Sequence, residues 1–142
     1  MDEGLGLTIG ELELGQTAAF TKTISESDVY AFAGITGDFN PVHVNALVAA
    51  ESRFGQRIAH GMLAAALVST VIGMKLPGPG VIYMSQSLRF TAPVFFGDTV
   101  TAQVEVVELD REKNRVRLAT RCVNQNGEVV GEGESLVKPR KA

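Results

Sequence analysis

The chain has 142 residues, of which 45% are hydrophobic and 20% are charged, a balance typical of a globular protein and not of a disordered one. The length predicts a single domain, residues 1–142, that buries roughly two thirds of the surface of its unfolded chain. A formal net charge of −3 gives no electrostatic support for nucleic-acid binding, so we expect no nucleic-acid partner.

The N-terminal third predicts one strand and two helices. Residues 17–24, "TAAFTKTI", are typical of a strand. Ser25 or Ser27 can then cap a helix whose apolar residues recur at helical spacing as far as Gly37, a residue type that commonly ends helices. After a turn, residues 45–54 predict a shorter helix that begins at a capping asparagine.

A longer helix is predicted from Gly61 to about Lys75. It has no polar face, and a helix that is apolar all round is buried on all sides. Ala65, Ser69 and Gly73 form a stripe of small residues, four apart, along which a ligand or another backbone could approach closely.

The C-terminal half predicts an antiparallel sheet. The sequence "PGPG" breaks the chain, after which the hydrophobic period changes from helical to two. The predicted strands are residues 81–90, 99–109, 115–123 and 128–138. Strands segregated from helices indicate an α+β fold, with one sheet curled around the buried helix. The helix still needs cover on its remaining side, which a second subunit would supply, so we expect a homodimer.

No segment predicts a membrane or secretory role. The first ten residues lack a basic stretch followed by an apolar run, and the longest apolar run, residues 62–74, is shorter than the roughly twenty residues a span requires. The single cysteine, Cys122, excludes an internal disulfide and fits a reducing compartment. We therefore expect a soluble, cytoplasmic protein with no membrane partner, and a buried, inert Cys122.

The most unusual stretch is "GITGDFNPVHVN", residues 34–45. Taken singly, Asp38, Asn40 and Pro41 are ordinary turn formers, and a turn alone explains each of them. His43 is different, because a turn needs no imidazole, although a lone histidine is more often a satisfied polar residue than a catalyst. The residue types therefore leave a helix stop and an active site as alternatives.

Taken together, these residues indicate acid–base chemistry. Asp38 and His43 on one rigid turn can place a carboxylate and an imidazole around a shared water, with Asn40 holding one of them. Histidine titrates near neutrality and can move protons in both directions. No serine or cysteine occupies a nucleophile motif, and two histidines without nearby cysteines do not predict a metal site, so we expect neither metal nor cofactor.

Further candidates lie on the long helix. Gly61 at its start offers a free backbone N–H at the positive end of the helix dipole, suited to an oxyanion hole, or it is merely a tight entry into the helix. His60 is expected to support that entry. Ser69 either bonds back to a helix carbonyl or points into a ligand slot. Ala65 and Ile72 are expected to shape that slot. An acid–base pair with a carbonyl-polarising helix end suits addition or removal of water next to a carbonyl.

The stretch "FAGITGDFNPVH", residues 32–43, resembles the hydratase 2 motif of the MaoC-like family of (R)-specific enoyl-CoA hydratases. The likeness continues through "AHGML" and "SLRFTAPVFFGD", residues 59–63 and 87–98. It implies a hot-dog fold, in which a long central helix is wrapped by a curved five-stranded antiparallel sheet, and a homodimer. It also implies cofactor-free hydration of trans-2-enoyl-CoA to (R)-3-hydroxyacyl-CoA.

By the same resemblance, Asp38 and His43 are the catalytic pair, Asn40 the motif asparagine, Gly61 the oxyanion glycine and Ser69 a neighbour of the site.

The alternatives to an enoyl-CoA hydratase are a 3-hydroxyacyl dehydratase for acyl-carrier-protein substrates, a thioesterase, and a non-catalytic acyl-CoA-binding module. Three residues are candidates for binding the CoA phosphates by charge alone: Arg57, Lys75 and Arg89.

Overall fold

The structure, a computed structural model, describes residues 4–142. Residues 1–3, part of the segment in which no secretory signal is expected, lie outside it. Among residues 4–142, a one-turn 3-10 helix is formed at Ile9–Glu11, together with four α-helices: α1 (Glu26–Thr36), α2 (Pro41–Val44), α3 (Ala46–Ala50) and α4 (Gly61–Met74). The strands are β1 (Thr17–Thr23), β2 (Ile82–Gln86), β3 (Arg89–Phe90), β4 (Thr99–Asp110), β5 (Arg115–Val123) and β6 (Val129–Lys138). Among the described residues no helix is long and apolar enough to cross a membrane.

All the strands belong to one antiparallel sheet with the order β1-β4-β5-β6-β2, and β3 also pairs with β6. Because β2 and β3 share one position beside β6, the sheet has the five expected positions. Alternate residues of β4 face α4 and are buried, which gives strand and helix a common apolar core. The predicted α+β architecture is confirmed, with α4 as its central helix.

The helix ends follow from local hydrogen bonds. Ser25 caps α1 by accepting from the Asp28 N–H, and Gly37 ends α1 with a φ of 82°, which favours glycine. Asn45 caps α3 as expected. However, α3 ends at Ala50 and not near Phe54, because the chain turns where the Ser52 hydroxyl donates to the Ala49 carbonyl.

The predicted strand 81–90 is interrupted between β2 and β3. Ser87 lies against β6: its N–H donates to the Glu134 carbonyl at 2.9 Å, and its hydroxyl accepts from the Glu134 N–H at 3.0 Å. Gly133 permits this approach, because a Cβ on it would lie 1.8 Å from the Ser87 carbonyl oxygen. A period-two pattern does not reveal such an interruption, since the residues on either side still alternate.

We expect Gly133→Ala to lower the free energy of unfolding by about 2–3 kcal/mol, because the new methyl would force β6 and the Ser87 backbone apart. Chemical denaturation would measure the loss. Gly131→Ala on the same strand is the matched control, since its Cβ would meet nothing closer than 3.7 Å. Equal stabilities of the two variants would contradict this account of the interruption.

The expectation that α4 is buried on every side is wrong for a single chain. Met62 is 54% exposed, and Ala66 and Ser69 on the same side of the helix are exposed as well. Met74, the last residue of α4, is 69% exposed. The apolar face of β2 is also uncovered, with Ile82 57% exposed. The sheet packs against one side of α4 only, so an apolar surface remains beside the edge strand.

Candidate active site

The turn between α1 and α2 is held by its own side chains. The Asp38 N–H donates to the Thr36 hydroxyl, and the Asp38 carboxylate accepts from the Asn40 N–H, both at 3.2 Å. The Asn40 side-chain oxygen then accepts from the Val42 N–H and caps the one-turn helix α2. This helix, absent from the sequence prediction, begins at Pro41, whose ring suits a first helical position. The turn therefore fixes the direction in which α2 carries its side chains.

His43 lies on α2 and is buried. Its Nδ1 lies 2.7 Å from the carbonyl oxygen of Ile58. A carbonyl only accepts, so Nδ1 carries the proton and Nε2 of the neutral ring is bare. Ile58 in turn is held by an N–H bond to the Val42 carbonyl on α2. The imidazole is thus fixed in one orientation, with one nitrogen ready to accept a proton.

His60, which precedes α4, is 2% exposed, and its side chain contacts both His43 and Asp38. Its ring stacks on His43 with centroids 3.9 Å apart, and its Nε2 donates to the Asp38 backbone carbonyl at 2.9 Å. His60 precedes the first residue of α4, but its side chain makes no capping hydrogen bond to the helix. The expectation that His60 supports the helix entry therefore does not account for its contacts with His43 and Asp38. The adjacent His-Gly pair was the available signal, but no sequence rule places it beside Asp38.

One ligand atom from each of Asp38, His43 and His60 lies within 4.8 Å of the others, a spacing compatible with a metal ion. The ring geometry argues against it. One nitrogen of each histidine is committed to a backbone carbonyl, and the two rings are inclined by only 29°. Because an imidazole lone pair lies in the ring plane, two stacked rings do not direct their remaining lone pairs to one point. We therefore treat the cluster as a proton-transfer site.

Gly61 is the first residue of α4, and its N–H has no acceptor among residues 4–142. A Cβ at this position would lie 2.9 Å from the ring of Phe90. The absence of a side chain therefore has a packing reason, and it leaves the amide accessible.

A cavity of about 460 Å³ brings these groups together. Its wall includes Asp38, His43, His60, Gly61 and Ala65. The volume is within the range of small-molecule sites.

Two of the predicted slot residues lie elsewhere. Ile72 is fully buried in the core and does not reach the cavity wall. Ser69 lies on the exposed side of α4, also outside the wall. Helical spacing placed both near Ala65 along the axis, but the sheet covers only one side of the helix. Within a single chain the cavity wall continues along α4 through Val68.

A larger groove of about 930 Å³ lies on the outer face of the sheet. It is lined by charged and small side chains such as Glu105, Arg121 and Glu134, and neither histidine reaches it. Of these two cavities, the smaller one brings together the Asp38 carboxylate, the His43 imidazole and the Gly61 N–H. Cys122, in the wall of that cavity, is buried as expected, and burial raises the pKa of its thiol to about 11, so it is not a nucleophile at neutral pH.

The three cations that charge alone makes candidates for phosphate binding lie outside the cavity wall, and two of them are paired with acids. Arg57 pairs with Glu26 at 2.9 Å, and Arg89 pairs with Glu132. Lys75 follows the far end of α4, about 20 Å from Gly61 by helix length, and donates to the Ala19 carbonyl. None of the three lines the cavity.

The chain is similar to known proteins in both sequence and fold. The family model of the MaoC-like domain matches residues 11–129. An (R)-specific enoyl-CoA hydratase of Rhodospirillum rubrum is 54% identical over 127 residues, covering 89% of this chain and 88% of the relative. A 3-hydroxybutyryl-CoA dehydratase of Methylorubrum extorquens is 53% identical over 132 residues, covering 92% and 83%. The unliganded R-hydratase PhaJ1 of Pseudomonas aeruginosa superposes with a TM-score of 0.92 at 48% identity, covering 96% of this chain and 88% of that one.

Proposed function

The chain belongs to the MaoC-like domain family, and on that premise we propose that it is an (R)-specific enoyl-CoA hydratase. It adds water reversibly to trans-2-enoyl-CoA and forms (R)-3-hydroxyacyl-CoA. The observation that carries the reaction type is the convergence on one cavity of the Asp38 carboxylate, the His43 imidazole and the Gly61 amide, which has no acceptor among residues 4–142. The CoA thioester and the product configuration rest on the relatives that are 53% and 54% identical.

In the mechanism we propose, a water lies between the Asp38 carboxylate and the bare Nε2 of His43 and donates one hydrogen bond to each of them. The water oxygen attacks the β-carbon, and one proton passes to this acceptor pair. The electrons of the double bond move onto the thioester oxygen as an enolate. The pair then returns the proton to the α-carbon and ends the reaction in its starting state. Atoms balance, and no cofactor is required.

Gly61 stabilises the enolate in this proposal. Support comes from its position in the first turn of α4, where a free N–H lies at the positive end of the helix dipole. The hydrogen bond from the Gly61 N–H strengthens as negative charge develops on the thioester oxygen. It therefore stabilises the transition state more than the bound substrate and lowers the activation barrier.

His60 acts as a positioning residue, and Asn40 supports the same turn. The stack on His43 and the bond to the Asp38 carbonyl hold the two catalytic groups relative to each other. Asn40 joins the Asp38 carboxylate to the start of α2. Ser69 and Ile72 have no contact with the cavity in one chain, so we assign them no step.

We also propose that the protein works as a homodimer and that residues 1–142 act as one domain. A second copy of the chain would cover the exposed apolar side of α4 and the uncovered face of β2. One continuous core, from Leu12 to Val137, supports the single domain. The free, buried thiol of Cys122 suits a reducing compartment, and we therefore place the enzyme in the cytoplasm.

The test is a hydration assay with trans-2-enoyl-CoA substrates of increasing chain length and with the matching acyl-carrier-protein thioesters. We expect loss of the enoyl chromophore with the CoA substrates and a product of (R) configuration. Faster turnover of the carrier-protein thioesters would instead indicate the dehydratase alternative. Tight binding without loss of the chromophore would indicate a binding module, and free thiol released from a saturated acyl-CoA would indicate a thioesterase.

A further inference from the structure

The cavity wall contains a cation that the sequence motifs do not single out. Arg53 lies in the turn after α3 and lines the same cavity as Asp38 and Gly61. It is exposed, and no carboxylate of residues 4–142 lies within 4.0 Å of its guanidinium. Its charge is therefore available to a ligand.

Arg53 is also held in place. Its guanidinium lies 5.3 Å from the ring centroid of Phe54, which restricts the side chain without neutralising it. The turn beneath it is closed by the Ser52 hydroxyl, which donates to the Ala49 carbonyl at 2.6 Å and accepts from the Phe54 N–H at 3.2 Å. Less side-chain entropy is lost when a restricted arginine binds an anion.

The other arginine of the wall is engaged elsewhere. The Nε of Arg121 donates to Gln103 at 2.8 Å, and both residues also line the groove on the outer face of the sheet. Glu132, the acid near it in the wall, is paired with Arg89. Arg53 is thus the cation of this wall that has neither an acidic partner nor a hydrogen-bond acceptor among the described residues.

We propose that Arg53 binds a phosphate group of the CoA portion of the substrate. This inference rests on the proposed function, since it assumes a thioester in the cavity. A guanidinium forms charge-assisted, bidentate hydrogen bonds with phosphate. A positive charge in the cavity wall favours the approach of a polyanionic substrate to a protein whose net charge is −3. Arg53 therefore contributes to substrate affinity and takes no part in the proton transfers.

The experiment compares crotonyl-CoA with crotonyl-4′-phosphopantetheine, which lacks the adenine nucleotide and keeps one phosphate, and with crotonyl-pantetheine, which has no phosphate. We expect Arg53→Glu to raise KM for crotonyl-CoA about tenfold or more and to leave kcat unchanged. KM for crotonyl-pantetheine should not change. A rise with crotonyl-4′-phosphopantetheine assigns the contact to the pantetheine phosphate, and a rise with crotonyl-CoA alone assigns it to the nucleotide phosphates.

Lys113→Glu is the matched control, because it makes the same change of charge on the β4–β5 turn, away from the cavity. It should leave all three KM values unchanged, and Arg53→Lys should fall between wild type and Arg53→Glu. An unchanged KM for crotonyl-CoA in Arg53→Glu, an equal rise with crotonyl-pantetheine, or an equal effect of Lys113→Glu would overturn the proposal. Failure of the proposed function itself is distinct, since the wild-type protein would then hydrate none of the three substrates.

Discussion

Asp38→Asn is expected to lower kcat for crotonyl-CoA hydration about a thousandfold, the scale of losing acid–base catalysis. The amide keeps the size of the carboxylate and an oxygen that can accept from the Asn40 N–H. It cannot take a proton from water at neutral pH. Because the side chain is 52% exposed, little packing is lost and the fold should be retained. The rate of disappearance of the enoyl chromophore measures the effect directly.

Asp110→Asn is the matched control for this prediction. The Asp110 carboxylate also accepts a backbone N–H three residues along, from Lys113, but in the β4–β5 turn outside the cavity. It should retain wild-type activity, and both variants should unfold at the same denaturant concentration as the wild type. Turnover of Asp38→Asn within about tenfold of wild type would exclude Asp38 as a proton carrier.

His43→Asn is the second change with a large expected effect, again about a thousandfold in kcat. The asparagine amide can replace the Nδ1–H donor to the Ile58 carbonyl, so the loss is specific to the bare Nε2. Added imidazole should restore part of the activity if the space left by the ring admits it. The same chromophore assay, run across a range of pH, gives the measurement.

Two substitutions of His60 distinguish a residue that positions the catalytic pair from one that carries a proton. His60→Gln can keep a donor near the position of Nε2 for the Asp38 carbonyl, and we expect at most about a tenfold loss in kcat. His60→Ala loses both this bond and the stack on His43, and we expect about a hundredfold loss in kcat with little change in KM. If His60→Ala were as inactive as His43→Asn, His60 would itself be a proton carrier. If His60→Gln were no better than His60→Ala, the bond to Asp38 would have no positioning role.

The elements that were predicted well are those whose cause is local. Ser25 and Gly37 mark the ends of α1 because capping and a positive φ depend on neighbouring backbone groups. The alternation along β4 and β5 predicted their buried faces, since side chains of a strand point alternately to either side. The resemblance of residues 32–43 to a known motif predicted the family, which the comparisons show.

The elements that were missed depend on contacts between distant parts of the chain. The interruption of residues 81–90 results from the approach of Ser87 to Gly133, which are far apart in sequence. Ile72 and Ser69 share the helix of Ala65, but which side of α4 meets the cavity is decided by where the sheet ends. Charge alone could not rank the cations, because only the folded chain shows that Arg57 and Arg89 are paired with the carboxylates of Glu26 and Glu132.

By itself the sequence determined an α+β domain with an apolar central helix, and a rigid turn that carries Asp38 and His43. These follow from periodicity, capping and turn chemistry, all of which act over a few residues. Only the tertiary structure decided that His60 stacks on His43 and donates to the Asp38 carbonyl, and that Arg53 is the cation of the wall with no acidic partner among residues 4–142. Such placements arise when the start of α4 packs against the turn before α2, and packing between separate segments leaves no period in the sequence.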